Sequence, residues 1–467
     1  MKSRKARTIM KLKLLVLIFL FAIPGVEAQD QQKMNISQML EFATKNNYDL
    51  REAKFNQMQS ELSVRETKAH GLPKVDGEMD YKNYLSLPTI ILPGELTGVS
   101  GAPDIEAQFG KKHNLDASIQ YSQLLFSLKY VNSVKTTEKV QEIRGLEVEK
   151  SKEELVQLLY SEYYNLLAIY KNLEIIEGNM ESLQLNRQTV SAMVTSGVAL
   201  QTDLDKIDVS YANLEASREN VLSGIKVQTN NLKYIIGMEP DVQLEVDTTG
   251  FSQQFANAQF INKYQDGDFD ADNLIEVEIL NKNLELNDRQ IKLAKSEVTP
   301  TVSFYGSYIY QAQRDEFNLF KSGENWFNTN LIGVKATIPI FSGLGNKVKV
   351  NQAKIDLEIT QDKLAKAKQG LNLKYQNAMN TYQSSLKNCR IQTKNVALAE
   401  NVKKQEEVKY KEGIGTLTDY LISETDYRNA QINFVQNFLN MKKAEIDVLK
   451  AKGLLTSYAH INQDNPQ

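Results

Sequence analysis

The sequence predicts a mainly helical chain in which long antiparallel coiled-coil helices carry two pairs of β-strands. Three observations lead to this fold class. Residues 127–196 and 342–412 contain no proline and are predicted to form two long helices. Two other regions alternate apolar and polar residues, as strands with one apolar face do. The plan of helix, hairpin, long helix and return helix occurs twice along the chain.

Residues 1–28 are predicted to be a signal peptide, so that the mature chain begins at Gln29. Basic residues precede an apolar run from Leu14 to Ile23, and a cleavage site of small residues ends at Ala28. A membrane anchor is the alternative, but the apolar run is short for one. Cleavage removes six of the 55 basic residues and one of the 58 acidic residues, which leaves 49 against 57. This acidic balance disfavours a nucleic-acid partner.

The sequence contains no pattern typical of a metal site, a cofactor site or an active site. The only cysteine is Cys389, so no disulfide framework is expected. The three histidines, His70, His113 and His460, lack the spacing of metal ligands. A hydrolase would need a clustered nucleophile and base or paired acids, and none is found. We therefore do not expect a hydrolase.

The first predicted repeat covers residues 29–240. A helix over 36–71 precedes Pro73, and a β-hairpin follows at about 74–125 with a loop rich in proline and glycine between its strands. A long helix over 127–196 stops at Gly197. Its residues Leu159, Leu166, Leu173 and Met180 recur every seven positions, which is the spacing of a coiled-coil seam.

A return helix to about residue 236 is predicted to begin near Thr202 and Asp203, which are typical of a capped helix start. Residues 241–270 follow as a linker with little periodicity. The second repeat, 271–455, has a helix, a hairpin at about 301–341, a long helix over 342–412 and another return helix, and a tail over 456–467 ends the chain.

The two repeats align at a nearly constant offset. Gly197 and Gly413 are 216 positions apart, and so are Asp203 and Asp419. The same offset places the coiled-coil seam of the second repeat at Tyr375, Tyr382, Cys389 and Val396, which makes Cys389 a packing residue.

The predicted strands have the length that crosses a bilayer in a tilted barrel. Four strands cannot close a barrel, so several chains must share one if the strands lie in lipid. A soluble two-layer domain with half-buried hairpins is the alternative that the alternation leaves open. In a barrel, the acidic face of the first hairpin is expected to line the lumen, since charge on the lipid face is unfavourable. Its residues are Asp76, Glu78, Asp80 and Asp116.

Three stretches carry a resemblance to a known family. Residues 338–344 read IPIFSGL, residues 196–203 read SGVALQTD, and residues 410–419 read YKEGIGTLTD. The first resembles the strand-to-helix junction of the outer-membrane efflux protein family, the TolC-like channel-tunnels, and the other two resemble its glycine-containing turns at the periplasmic tip. The resemblance extends over residues 36–455.

The resemblance implies a homotrimer that places twelve strands in outer-membrane lipid and twelve helical staves in a periplasmic α-barrel. The family provides the outer-membrane exit duct of tripartite efflux or type I secretion systems. It conducts substrates passively and works with a periplasmic adaptor protein and an inner-membrane efflux pump or ABC transporter. No cofactor is implied. The alternative is a secreted or periplasmic coiled-coil scaffold or adhesin without a pore.

The resemblance also implies roles for single residues. The tips that dock the adaptor are Gly197, Val198, Gly413 and Ile414. The periplasmic gate consists of Asp419, which matches a constriction aspartate, Tyr410 and Asp203, which match a pair that ties helices together, and Thr202. Asp203 and Asp419 could instead be ordinary helix N-caps.

Two departures from the family pattern affect the gate. Gly415 replaces an arginine of the locking network, and Ile422 replaces a second constriction aspartate. We therefore expect one acidic ring and fewer polar ties.

Overall fold

The computed structural model describes residues 32–98, 100–101, 103–248, 255, 260–264 and 269–464. The predicted signal peptide lies outside the described residues. The fold class is mainly helical with a four-stranded antiparallel sheet, as predicted. The helices are α1 Ile36–Asn46, α2 Tyr48–Ala69, α3 Leu128–Thr195, α4 Gln201–Ile236, α5 Ile275–Ser296, α6 Gly345–Lys411, α7 Leu417–Ala451 and α8 Leu455–Asp464. The strands are β1 Gln32–Met34, β2 Lys74–Asn83, β3 Thr89–Leu92, β4 Ile105–Gln108, β5 His113–Ser127, β6 Leu244–Val246, β7 Thr301–Arg314 and β8 Phe327–Thr337.

The chain forms two compact units, each built from segments of both predicted repeats. Of the described residues, those within 1–54, 148–277 and 367–467 form the helical unit, and those within 55–147 and 278–366 form the sheet unit. The repeat boundaries at 29–240 and 271–455 stay a prediction.

The sheet unit has the strand order β2-β5-β7-β8, so the two predicted hairpins pair through β5 and β7. Residues directly opposite each other in antiparallel strands share a face. One face is polar along β2 and β5, where Asp80 lies opposite Asp116 and Glu78 lies opposite Ser118. The other face is largely apolar, and Ile119 lies there opposite Tyr308.

The strand β8 is shorter than its sequence pattern predicts. The alternation of apolar residues continues to Ile340, but the strand ends at Thr337 because Pro339 lacks the N–H group that a ladder needs. The chain then passes through Gly343 and Leu344, whose φ values of 61° and 66° lie in the left-handed region, before α6 begins at Gly345.

The first hairpin differs from its predicted outline in two ways. Its second strand continues to Ser127, with a register shift between Leu124 and Phe126. Its long loop, predicted to be irregular, contains a small hairpin in which β3 and β4 pair antiparallel. The proline and glycine residues of this loop do not reveal the pairing, because such residues are common in irregular loops and in hairpin turns alike.

The first predicted helix is two helices in the structure. The break lies at Asn47, whose side-chain amide donates to the backbone oxygen of Ile235 and whose side-chain oxygen accepts from the N–H of Leu50. The N-cap of α1 is Asn35, which forms a capping box with Gln38. This anchor to α4 is tertiary, so periodicity alone does not reveal the break.

The predicted linker and tail both contain regular structure. Residues 244–246 form β6, which pairs in parallel with β1 near the start of the described chain. Residues 455–464 form α8, and its Leu455 and Ala459 are buried. Neither element was predicted from the sequence, because such short elements owe their stability to the core on which they pack.

The core of the helical unit follows the predicted seams. Leu159, Leu166, Tyr375, Tyr382 and Cys389 are all buried in one cluster. Burial raises the pKa of the Cys389 thiol to about 12, so it packs as an inert apolar side chain. Within the described part of the chain, no helix is long and apolar enough to cross a membrane.

Candidate functional site

The two predicted tips are turns of the same type at the ends of α3 and α6. Gly197 and Gly413 adopt φ values of 76° and 73°, a region that favours glycine. The N–H of Val198 donates to the oxygen of Met193 at 2.9 Å, and the N–H of Ile414 donates to the oxygen of Lys409 at 3.0 Å. Both are Schellman motifs, which end a helix and turn the chain.

Each tip presents an apolar side chain. Val198 is 76% exposed and Ile414 is 79% exposed, and Leu200 beside the first turn is also exposed. Such side chains supply the apolar contact area that protein interfaces use. The predicted docking residues thus lie at accessible turns.

A small apolar cluster packs behind both turns. It joins Val190 of α3, Ile207 of α4, and Leu417 and Tyr420 of α7, all of them buried. The ring of Tyr410 stacks on that of Tyr420, with centroids 6.5 Å apart and planes 16° apart. The cluster therefore holds the two helical hairpins, α3–α4 and α6–α7, together at their tips.

The predicted gate pair, Tyr410 and Asp203, shares no hydrogen bond in the described residues. Burial, and after it the Asp203 carboxylate, raises the pKa of Tyr410 above its ordinary value of 10.0. The Tyr410 hydroxyl is buried without a hydrogen-bond partner in the part of the chain that the structure describes. The Asp203 carboxylate accepts instead from Lys206 Nζ at 3.4 Å, and that ammonium also reaches Thr418 Oγ1 at 3.3 Å.

The alternative that Asp203 and Asp419 are helix N-caps is wrong. The N-cap of α4 is Leu200, which makes no side-chain cap bond. The N-cap of α7 is Thr416, whose Oγ1 accepts from the Asp419 N–H at 3.2 Å and donates to Asp419 Oδ2 at 2.6 Å. Asp419 is exposed, as is Thr202. The side chains of Asp419 and Thr202 are therefore accessible to groups outside their own helices.

The structure also shows the surroundings of Gly415 and Ile422, the two residues that depart from the family pattern. A Cβ atom on Gly415 would lie 2.9 Å from Lys409 Cβ, so the chain passes close to the end of α6 there. Ile422 is 55% exposed on α7. Neither position supplies a charge to the tip.

The residues predicted to line a barrel lumen share one face of the sheet. Asp80 lies opposite Asp116, and Lys82 forms an ion pair with each of them. Glu78 accepts a hydrogen bond from Gln120 at 3.3 Å, and Asp76 is directly opposite that glutamine. The face is therefore polar and mixed in charge, because Lys82 accompanies the carboxylates.

Sequence reasoning missed a buried polar cluster between the hairpins. Lys403 of α6 lies 3.6 Å from Glu424 of α7, with side chains 14% and 4% exposed. Lys403 Nζ also donates to Ser182 Oγ of α3 at 3.3 Å, and Asn186 of α3 donates to the Tyr420 hydroxyl. Burial raises the pKa of Glu424 above its ordinary 4.5, although the attraction of Lys403 opposes this. The sequence signal that could have revealed the Lys403–Glu424 pair is the repeat offset, which aligns it with Arg187 and Asp208.

Comparison with known protein families gives one match, within the second predicted repeat. Residues 279–454 match the outer membrane efflux protein family. The family resemblance predicted from the sequence is confirmed. No curated protein matches the chain.

Solved outer-membrane channels share the fold. The outer membrane protein VceC of Vibrio cholerae aligns with a TM-score of 0.66 at 15% identity, covering 90% of this chain and 96% of that one. The CmeC outer membrane channel of Campylobacter jejuni gives 0.67 at 15% identity, covering 92% and 89%. The open state of the MtrE outer membrane channel of Neisseria gonorrhoeae gives 0.68 at 16% identity, covering 90% and 88%. At this identity the likeness establishes the fold.

Proposed function

We propose that the protein is the outer-membrane exit duct of an efflux or type I secretion system. It conducts substrates passively and is not an enzyme. The observation that carries the proposal is the four-stranded sheet, which has one polar face, one largely apolar face and two edge strands, β2 and β8, that pair with no further strand of the described chain. An open edge in lipid is strongly unfavourable, so the edges need neighbours.

Three copies of the chain would satisfy these edges. A homotrimer joins β8 of one copy to β2 of the next and closes a barrel of twelve strands, which falls within the range of membrane barrels. The largely apolar face then contacts outer-membrane lipid, and the face of Asp76, Glu78, Asp80 and Asp116 lines the lumen. The helical hairpins form the periplasmic extension, and the matched family supports this arrangement.

The proposed partners are a periplasmic adaptor protein and an inner-membrane efflux pump or ABC transporter. The adaptor docks on the tips at Gly197, Val198, Gly413 and Ile414, since both turns present an exposed apolar side chain. No nucleic-acid partner is proposed, because the chain carries an excess of acidic residues.

The proposed gate is formed by Asp419, Tyr410, Thr202 and Asp203. In a trimer, the exposed Asp419 recurs three times and forms a single acidic ring, since Ile422 supplies no second one. Such a ring attracts cations into the entrance.

Planar-bilayer recording of the purified protein tests the function and the ring together. The parent should insert as a cation-preferring pore, and Asp419→Ala should lower the cation preference and the block by divalent ions. The matched control is Asp205→Ala, since Asp205 is also exposed near a tip but is not placed in the gate. Pores with the same selectivity in parent and Asp419→Ala would disprove the ring. A protein that stays in the aqueous fraction without detergent and forms no pores would be the scaffold or adhesin.

Cysteine labelling tests the orientation of the sheet. Cysteines at positions 75 and 79 should react with a membrane-restricted probe, and cysteines at 76, 78 and 80 should not. The reverse pattern would place the acidic face in lipid and contradict the barrel.

A further inference from the structure

The internal repeat allows the buried polar cluster behind the tips to be compared with the aligned residues of the first hairpin. The offset of 216 aligns Lys403 with Arg187 and Glu424 with Asp208. Both are cation and carboxylate pairs between the two helices of a hairpin. The pair of the first hairpin is 44% and 42% exposed, whereas that of the second is 14% and 4% exposed.

The second pair also contacts the other hairpin, and the first does not in the described residues. Lys403 Nζ donates to Ser182 Oγ of α3, so one ammonium group connects α6, α7 and α3. Four residues further along α3, Asn186 donates to the hydroxyl of Tyr420, which lies one turn before Glu424 on α7. Two adjacent polar contacts thus cross from the first hairpin to the second.

Because these charged groups are buried, their contacts stabilise only one arrangement of the helices. An ammonium and a carboxylate removed from water are stable only while their partners stay in place. The Lys403 ammonium also lies over the ring of Tyr427, with Nζ 5.5 Å from the ring centroid, and this cation–π contact restricts the side chain further. A shift of α6–α7 away from α3 would break the Ser182 contact and remove α3 from beside the buried pair.

We propose that Lys403, with Glu424 and Ser182, is a positioning residue of the gate that holds the second hairpin against the first in the closed channel. The inference rests on the proposed function. It adds residues outside the set of Tyr410, Asp419, Thr202 and Asp203, and it explains how a tip with few polar ties of its own stays closed.

Single-channel recording in planar bilayers tests whether Lys403 holds the second hairpin against the first. Lys403→Met removes the ammonium but keeps the stem, and it should raise the open-to-closed ratio of the pore about tenfold, the factor of one hydrogen bond to a charged group. Lys403→Arg keeps a cation and should stay near the parent. The matched control is Arg187→Met, which removes the aligned but exposed cation and should leave the ratio unchanged.

A second variant and a second measurement keep the test decisive. Ser182→Ala removes the contact of Lys403 with α3 but keeps the Lys403–Glu424 pair, so it should raise the open-to-closed ratio while the heat stability of the trimer in gels stays that of the parent. If Lys403→Met fails to assemble, this variant decides.

The outcomes separate the inference from the function. A parent-like ratio in Lys403→Met and Ser182→Ala overturns the tie and leaves the duct intact. An equal rise in Arg187→Met overturns it as well, because burial would then not matter. If neither the parent nor any variant forms pores, the proposed function itself fails.

Discussion

The two helical hairpins of this chain have the same turn but different surroundings. The turns at Gly197 and Gly413 share one backbone motif, and the return helices α4 and α7 begin four residues after each glycine. Around these turns, the first hairpin has an uncapped return helix and an exposed ion pair, and the second has a capped helix and a buried pair. The two turns thus share their backbone conformation, while the side chains of the second hairpin make the buried contacts to its neighbour.

The largest expected difference between the hairpins is the effect of removing one carboxylate. Glu424→Leu leaves the Lys403 ammonium buried without its partner, so the free energy of unfolding should fall by about 3–5 kcal/mol. Asp208→Leu leaves Arg187 in water and should cost less than about 1 kcal/mol. Urea unfolding in detergent, followed by circular dichroism, measures both. Equal losses would mean that the second pair is solvated and that the contrast in burial is wrong.

Replacing the turn glycine should destabilise both hairpins to the same extent. Gly197→Ala and Gly413→Ala each force a Cβ atom into the left-handed region, which costs about 1–2 kcal/mol. Gly178→Ala is the control, because Gly178 lies within α3 with open space around it and should gain stability from alanine. Thermal unfolding of the three variants checks this. A loss at only one turn would contradict the shared motif.

The caps should respond in opposite directions. Thr416→Ala removes the side-chain cap of α7 and should cost about 1 kcal/mol. Leu200→Ser supplies a cap to α4, whose N-cap already has the extended backbone that a cap requires, and should add about 0.5 kcal/mol. Leu200→Ala separates the gain of the hydroxyl from the loss of the leucine. If Leu200→Ser and Leu200→Ala are equally stable, the hydroxyl does not cap α4.

The last difference concerns pH. Burial raises the pKa of Glu424, so the folded state holds this proton above the ordinary value of 4.5. The stability that the carboxyl contributes is therefore full below pH 4.5 and declines as pH rises through the raised pKa. The charged groups that face it are Lys403, Arg428 and Glu407, and the Tyr420 hydroxyl is also near.

Comparison of the parent with Glu424→Gln isolates this contribution. The stability of the parent relative to Glu424→Gln should decrease between pH 4.5 and neutrality, and Asp208→Asn serves as the matched control in the exposed pair. A difference that increases with pH would mean that Lys403 outweighs burial and lowers the pKa of Glu424.

Much of the fold was predictable because it depends on local periodicity. Heptad spacing identified the long helices α3 and α6, and strict alternation identified the four strands of the sheet. The glycines of both tips were predictable as well, since a left-handed residue that ends a helix is usually glycine. The second hairpin was predicted to end at about residue 341, about four residues beyond the end of β8 at Thr337, although Pro339 is visible in the sequence.

Other features depend on contacts between residues distant in the sequence. The strands β1 and β6 are only three residues each and lie more than 200 positions apart, so neither has a pattern of its own. Asn47 is one polar residue among many until its side chain meets the oxygen of Ile235. The same holds for Lys403 and Glu424, which read as surface charges on two separate helices.

The sequence by itself determined the order of helices and strands, the duplication, the two glycine turns and the resemblance to outer-membrane efflux proteins. Each of these follows from residue type and short-range spacing, which are written in the chain. Only the tertiary structure decided which of two aligned ion pairs is buried and which helix it contacts. Burial depends on the neighbours that the fold brings together, and two pairs with the same spacing can therefore differ in exposure and in contacts.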